Sequence, residues 1–130
     1  MRLERLKSYA LSLPQTKVVN QWGGLVFKVS EKVFFMINLD GETASGIIFK
    51  CTPDEFAELT DTDGIGQAPY FAKRMWVRVE DLAALPEAEL QKRIRRSYDL
   101  VTAGLPKKIQ ATLREELMVS SRTRSTQQPS

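Results

Sequence analysis

From residue 73 the chain reads Lys-Arg-Met-Trp-Val-Arg-Val. In an extended strand alternate side chains share a face, so Arg74, Trp76 and Arg78 stand together and Met75, Val77 and Val79 oppose them. The second set is the core side. The first is a basic-aromatic-basic stripe, with Lys73 adding charge at its start. Guanidinium and ammonium groups neutralise phosphates, and an indole between them can stack on a base or sugar. The same parity sets Lys28 and Lys50 on the faces opposite Phe27 and Phe49, so these cations share one sheet surface if the strand registers agree. The competing reading is structural: a helix covers Trp76 and the arginines snorkel around it.

Other chemistry is largely excluded. The chain has no histidine, which removes Ser-His-Asp and Cys-His dyads and histidine-bearing zinc sites. Its one cysteine, Cys51, ends a strand beside Phe49 and Ile47 and reads as a buried, inert thiol. Asp61, Asp63 and Gly64 lack the layout of a calcium loop. Gly23-Gly24 precedes a strand rather than a helix, and Gly64-Ile65-Gly66 lacks the Lys-Ser/Thr of a P-loop, so neither cradles a phosphate. No catalytic residue, metal or cofactor is expected, and the chain reads as a non-enzyme.

The charge distribution agrees with a polyanionic partner. Residues 1–65 carry seven Lys/Arg against nine Asp/Glu, and residues 66–130 carry twelve against seven, within a net +3. Lys107-Lys108 opens the last helix, where the macrodipole disfavours cations, and this local conflict hints at a use for them. Lys92, Arg93, Arg95 and Arg96 lie opposite an apolar helix stripe. Glu89 with Arg93, and Arg95 with Asp99, are matched four-apart pairs, so that face reads as ordinary and solvated.

The elements that must position these residues follow from periodicity. Leu3, Leu6, Tyr9, Ala10 and Leu13 form one helical stripe, ended by Pro14. Strands are expected at 18–22, 25–29, 33–39, 47–51 and 75–79. Their short connections require antiparallel pairing, because parallel strands need long crossovers. Strict alternation in the third strand puts Phe34 and Met36 opposite Val33, Phe35 and Ile37. Thr52-Pro53-Asp54-Glu55 is a capping box that opens a short helix, and residues 61–69 form a loop. A long helix from Pro86 carries Leu90, Ile94, Ser97, Tyr98 and Val101 on its inner side, with Gly104 as a left-handed stop. Another helix follows Pro106. From Val119 the sequence turns polar and is expected to be a flexible tail, leaving one domain at 1–118. The class is α+β: about five antiparallel strands, an N-terminal helix, a short middle helix and two C-terminal helices. The start has no signal-peptide pattern and no apolar run reaches membrane length. A single cysteine suits a reducing cytoplasm.

The spaced set Lys50-Cys51-Thr52-Pro53-Asp54-Glu55, Ala68-Pro69-Tyr70, Lys73-Arg74-Met75-Trp76-Val77, Ser97-Tyr98-Asp99-Leu100-Val101 and Leu105-Pro106-Lys107-Lys108 resembles the MmcQ/YjbR family of small bacterial proteins. Leu11-Ser12-Leu13-Pro14 and Val26-Phe27-Lys28-Val29 match its front. The likeness covers about residues 1–110. It implies a compact α+β domain, similar in outline to secretion chaperones, that binds DNA through winged hairpins. The chain departs from the family in carrying Met75 beside the tryptophan, where histidine is frequent.

The expectation is therefore a cytoplasmic, sequence-nonspecific DNA-binding protein, a monomer or weak dimer with no membrane association. Lys73, Arg74 and Arg78 would neutralise phosphates, Trp76 would stack or wedge, and Lys28, Lys50, Lys107 and Lys108 would extend the patch. The alternative is a protein-interaction or chaperone-like module that takes a partner segment on its sheet, with Phe34 and Met36 as interface. An exposed apolar patch favours the second and a basic groove the first.

Overall fold

The computed structural model describes residues 2–41 and 43–127. Helix α1 (Arg2–Ser12) leads into four strands, β1 (Thr16–Gln21), β2 (Gly24–Val29), β3 (Lys32–Asp40) and β4 (Thr43–Lys50). Helix α2 (Pro53–Thr60), strands β5 (Ile65–Gln67) and β6 (Trp76–Val79), and helices α3 (Glu87–Thr102) and α4 (Lys107–Gln127) follow, with one 3-10 turn at Leu82–Ala84. The six strands form one antiparallel sheet in the order β1-β2-β3-β4-β6-β5. The α+β class and the antiparallel sheet are as the periodicity predicts.

The hairpins are tight because their turn residues accept left-handed backbone. Trp22 and Gly23 both have positive φ, 55° and 73°, as do Ser30 and Glu31 at 49° and 66°. This is the primed two-residue geometry whose twist matches that of the flanking strands. Trp22, expected as the end of a strand, instead occupies the first corner of the β1–β2 turn.

Helix α2 begins as its sequence dictates. The Thr52 hydroxyl accepts from the Glu55 N–H at 3.2 Å, and the Glu55 carboxylate accepts from the Thr52 N–H at 2.8 Å. Glu55 also pairs with Arg96 at 3.2 Å and Arg93 at 3.6 Å on α3, so the box ties two helices together. Glu89–Arg93 and Arg95–Asp99 pair along α3 at 3.2 and 3.0 Å.

Helices α1 and α3 cover one face of the sheet. Beneath them lie Phe27, Phe35, Ile37, Ile47, Phe49, Val77 and Val79, all fully buried. The alternation of β3 breaks here. Phe27 pairs with Phe35 and the next residue, Lys28, pairs with Val33, so Phe34 is an extra residue on β3. Such a bulge turns two consecutive side chains to the same side. Phe34 therefore joins Phe35 in the core, edge-on to Tyr98 with ring centroids 5.2 Å apart, and Val33 moves to the opposite face with Met36. The pairing of Phe34 with Met36 expected from strict alternation is corrected accordingly. The side chain that stabilises the bulge comes from α3. The Ser97 hydroxyl donates to the Phe34 carbonyl and accepts from the Lys50 N–H at 2.7 Å, replacing ladder bonds that the bulge removes.

Three further expectations are corrected. The segment 61–69 contains a sixth strand, β5, hydrogen-bonded to β6; three residues around a glycine carry no alternation to read. Gly104 does not adopt positive φ; α3 ends at Ala103 in the right-handed region, and Leu105 is buried in the core ahead of Pro106. Helix α4 runs on to Gln127, into the segment expected as a tail, because no glycine or proline interrupts it before Pro129. Residues 128–130 lie outside the described residues.

Candidate functional site

The face of the sheet turned away from the helices is the site of interest. Register places the strand residues on it: Lys17 pairs with Lys28, Val19 with Val26, Val26 with Met36, Met36 with Ile48, Ile48 with Arg78, and Lys50 with Trp76. Lys28, Lys50, Trp76 and Arg78 thus share one surface, because the registers agree with the parity of each strand. Arg74 does not belong to a strand. It precedes β6, has φ of 63°, and stands exposed with Lys73 in the β5–β6 loop. Met75, expected in the core, is 36% exposed for the same reason. Lys107 and Lys108 open α4, whose Ile109 and Leu113 pack into the helix-side core, so they belong to the opposite layer of the molecule.

No helix covers Trp76. Its cover is the β5–β6 loop, which folds back so that Phe71 stacks on the indole at 4.6 Å between centroids and Ala68 is buried beside it. The loop is held by one side chain that the sequence reading passed over. The Gln67 amide donates to the Ala68 carbonyl at 2.8 Å and its oxygen accepts from the Arg74 N–H at 2.9 Å. At the two ends the Ala68 N–H donates to the Trp76 carbonyl and the Cys51 N–H to the Met75 carbonyl.

Arg78 is committed to the protein. Its Nε donates to Asn38 Oδ1 at 3.2 Å, Nη1 to Glu80 at 2.7 Å and Nη2 to the Ser45 carbonyl at 3.0 Å. The guanidinium lies against Gly46, where a Cβ would come within 3.2 Å of Nε and 3.1 Å of the Val79 carbonyl. Among the described residues, the side chains of Lys28, Lys50, Lys73 and Arg74 carry no ion pair to a carboxylate. They share the free positive charge of this face with Lys17, which stands across from Lys28 and has no ion pair among the described residues either.

Between the loop and the β1–β2 turn the surface opens into a cleft of about 640 Å³. Met36 and Ile48 floor it, Pro69 and Phe71 line one side, and Asn38 and Arg78 supply a polar end. Its rims are Trp22, 64% exposed, and Tyr70, fully exposed. Both have left-handed backbone, at φ of 55° and 68°. That conformation costs a non-glycine residue about 1–2 kcal/mol, and large exposed aromatics add no compensating burial. Such strain collects at functional sites. The sequence by itself assigns neither residue a binding role, although each carries a signal: Trp22 adjoins Gly23-Gly24, and Tyr70 follows Pro69 in the Ala68-Pro69-Tyr70 segment of the family resemblance.

Cys51 is buried at 2% exposure, and burial, with the nearby Glu55 charge, pushes its thiol up to about 11. It is a poor nucleophile at neutral pH. Among the described residues no three acidic or thiol groups cluster to hold a metal ion, and no helix is long and apolar enough to cross a membrane.

Solved structures share this architecture. Protein DR2400 of Deinococcus radiodurans, a DUF419 domain, superposes with a TM-score of 0.73 over 85% of this chain and 86% of its own, at 24% identity. A protein from Pseudomonas syringae superposes with a TM-score of 0.61 over 77% of this chain and 98% of its own, also at 24% identity. No curated protein matches in sequence. The YjbR family model matches residues 11–100, which hold the whole described sheet, α2 and nearly all of α3, and the chain belongs to the YjbR family.

Proposed function

We propose that the protein binds DNA through the outer sheet face, with a preference for single strands and without reading sequence along the backbone. The observation that carries the reading is the juxtaposition of unpaired cations with protruding rings. Lys28 lies with its Nζ 5.9 Å from the Trp22 ring, and Lys73 and Arg74 follow Tyr70 in the same loop. Lys50 stands across from Trp76. Cations track phosphates and exposed rings stack on bases that are not already paired, which is the usual chemistry of single-strand binding. The stacking role passes from Trp76, already covered by Phe71, to Trp22 and Tyr70. Arg78 is a structural anchor for the face, and the phosphate contacts fall to Lys28, Lys50, Lys73 and Arg74. The role is non-catalytic and needs no cofactor; a cytoplasmic monomer or weak dimer is part of the same proposal.

The test is fluorescence anisotropy with labelled single-stranded and duplex DNA across a salt series. Wild type is expected to bind single strands more tightly, and each lost phosphate contact to lower the log–log salt slope by about 0.7. Lys73→Ala with Arg74→Ala removes two such contacts. Lys107→Ala with Lys108→Ala, in the helical layer, leaves slope and affinity unchanged. Absence of binding at about 50 mM salt, where phosphate contacts are strong, rules the proposal out. The apolar floor of Met36 and Ile48 favours one competing reading, capture of an apolar partner segment, and binding to such segments with no DNA affinity would replace the first.

A further inference from the structure

We infer that the cleft between Trp22 and Tyr70 is a pocket for one unstacked base of the bound strand, and that it takes guanine in preference to adenine. This rests on the DNA-binding reading above and adds the unit that is read. The cleft volume, about 640 Å³, is within the range that accepts a small ligand such as a nucleotide. Its rims are two aromatic side chains and its floor is apolar, which suits a planar ring. A purely apolar occupant fits the floor but leaves the polar end unused.

That polar end selects by hydrogen-bond type. Asn38 Oδ1 already accepts from Arg78 Nε, which spends one of its two lone pairs and orients the amide so that Nδ2 is left as a donor. Three of the five guanidinium N–H bonds are used, on Asn38, Glu80 and Ser45. The remaining capacity of Asn38 Nδ2 and Arg78 is therefore N–H. Guanine presents two adjacent acceptors, O6 and N7, on one edge, whereas adenine places an amino donor beside N7. A donor set facing an amino group leaves N–H bonds unmade, which is the costly arrangement. The flanking charge fits as well. Lys28 lies by the Trp22 rim, and Lys73 and Arg74 follow Tyr70 within the same loop, which offers a cation to the phosphate on either side of a seated base.

The experiment uses the full chain and strands of about twelve abasic deoxyribose-phosphate units, a span typical of one binding site, carrying one central dG, one central dA or no base. The dG strand is expected to bind about tenfold more tightly than the wholly abasic strand, as one stacked base contributes, and the dA strand to fall between. Trp22→Ala brings all three together without changing the salt slope. Asn38→Asp, which keeps the acceptor for Arg78 and replaces the donor, abolishes the advantage of dG over dA. Equal binding of the three strands by wild type overturns the pocket and leaves the phosphate reading standing. A dA strand that binds as well as the dG strand overturns the guanine assignment. Failure of every strand to bind overturns both.

Discussion

Phe49 and Ile48 are neighbours on β4, and they face two different environments. Phe49 points beneath the helices among fully buried rings and aliphatic chains, where Ser97, the buried polar residue among those described, has both of its hydroxyl bonds satisfied. Ile48 points to the outer face, where four hydrophobic residues form a small cluster covered by one loop and bordered by an open cleft. One sheet thus separates the part of the molecule that stores stability from the part left free to bind. Among the described residues the inner core buries no charged side chain. The outer side keeps lysines without ion pairs among the described residues, left-handed turns and the exposed rings of Trp22 and Tyr70.

The difference can be measured by truncation on either side. Phe49→Ala is expected to cost about 3–5 kcal/mol in chemical denaturation, and Ile48→Ala nearer about 2 kcal/mol because the adjoining cleft lets the site relax. Equal losses would show that the outer cluster is packed as tightly as the inner one.

Ser97→Ala is the next largest expected effect. It strands the Phe34 carbonyl and the Lys50 N–H in the core, at a cost of about 1–3 kcal/mol. A neutral result would mean that the β3 bulge closes without the hydroxyl.

The inner side also predicts a pH dependence. Burial raises the Cys51 thiol from 9.0 to about 11 and the Tyr98 hydroxyl from 10.0 to about 12. Raised values mean that folding favours the protonated forms, so their contribution is complete below pH 9.0 and is lost as pH rises through about 11 and about 12. Urea midpoints should hold steady to pH 9.0 and then fall. Cys51→Ala should remove the first part of that decline, and an unchanged profile would disprove the assignment to Cys51.

On the outer side, Trp22→Gly is expected to leave stability unchanged or raise it by up to about 1 kcal/mol, by relieving the left-handed strain. It should weaken single-stranded DNA binding about tenfold, the value of one stacked base. Loss of stability instead would make Trp22 a packing residue. This is the smallest expected effect on folding and the most direct on the proposed site.

What the amino-acid order determined by itself was local. The α2 capping box, the α1 stripe ending before Pro14, the matched charges along α3 and the alternation that sets Trp76 with Arg78, and Lys28 and Lys50 opposite Phe27 and Phe49, all depend on neighbours within a few positions. Even Ser97 was visible as a hydroxyl set into an apolar stripe. Tertiary structure decided the rest, because the deciding partners are distant in sequence. The bulge that turned Phe34 inward is bridged by Ser97, 63 residues away from Phe34 and 47 from Lys50. Arg78 is held by Asn38, 40 positions earlier. Trp22 and Tyr70 face one cleft only because the sheet order and the Gln67-stapled loop bring two turns together, and no periodicity in either segment encodes that meeting.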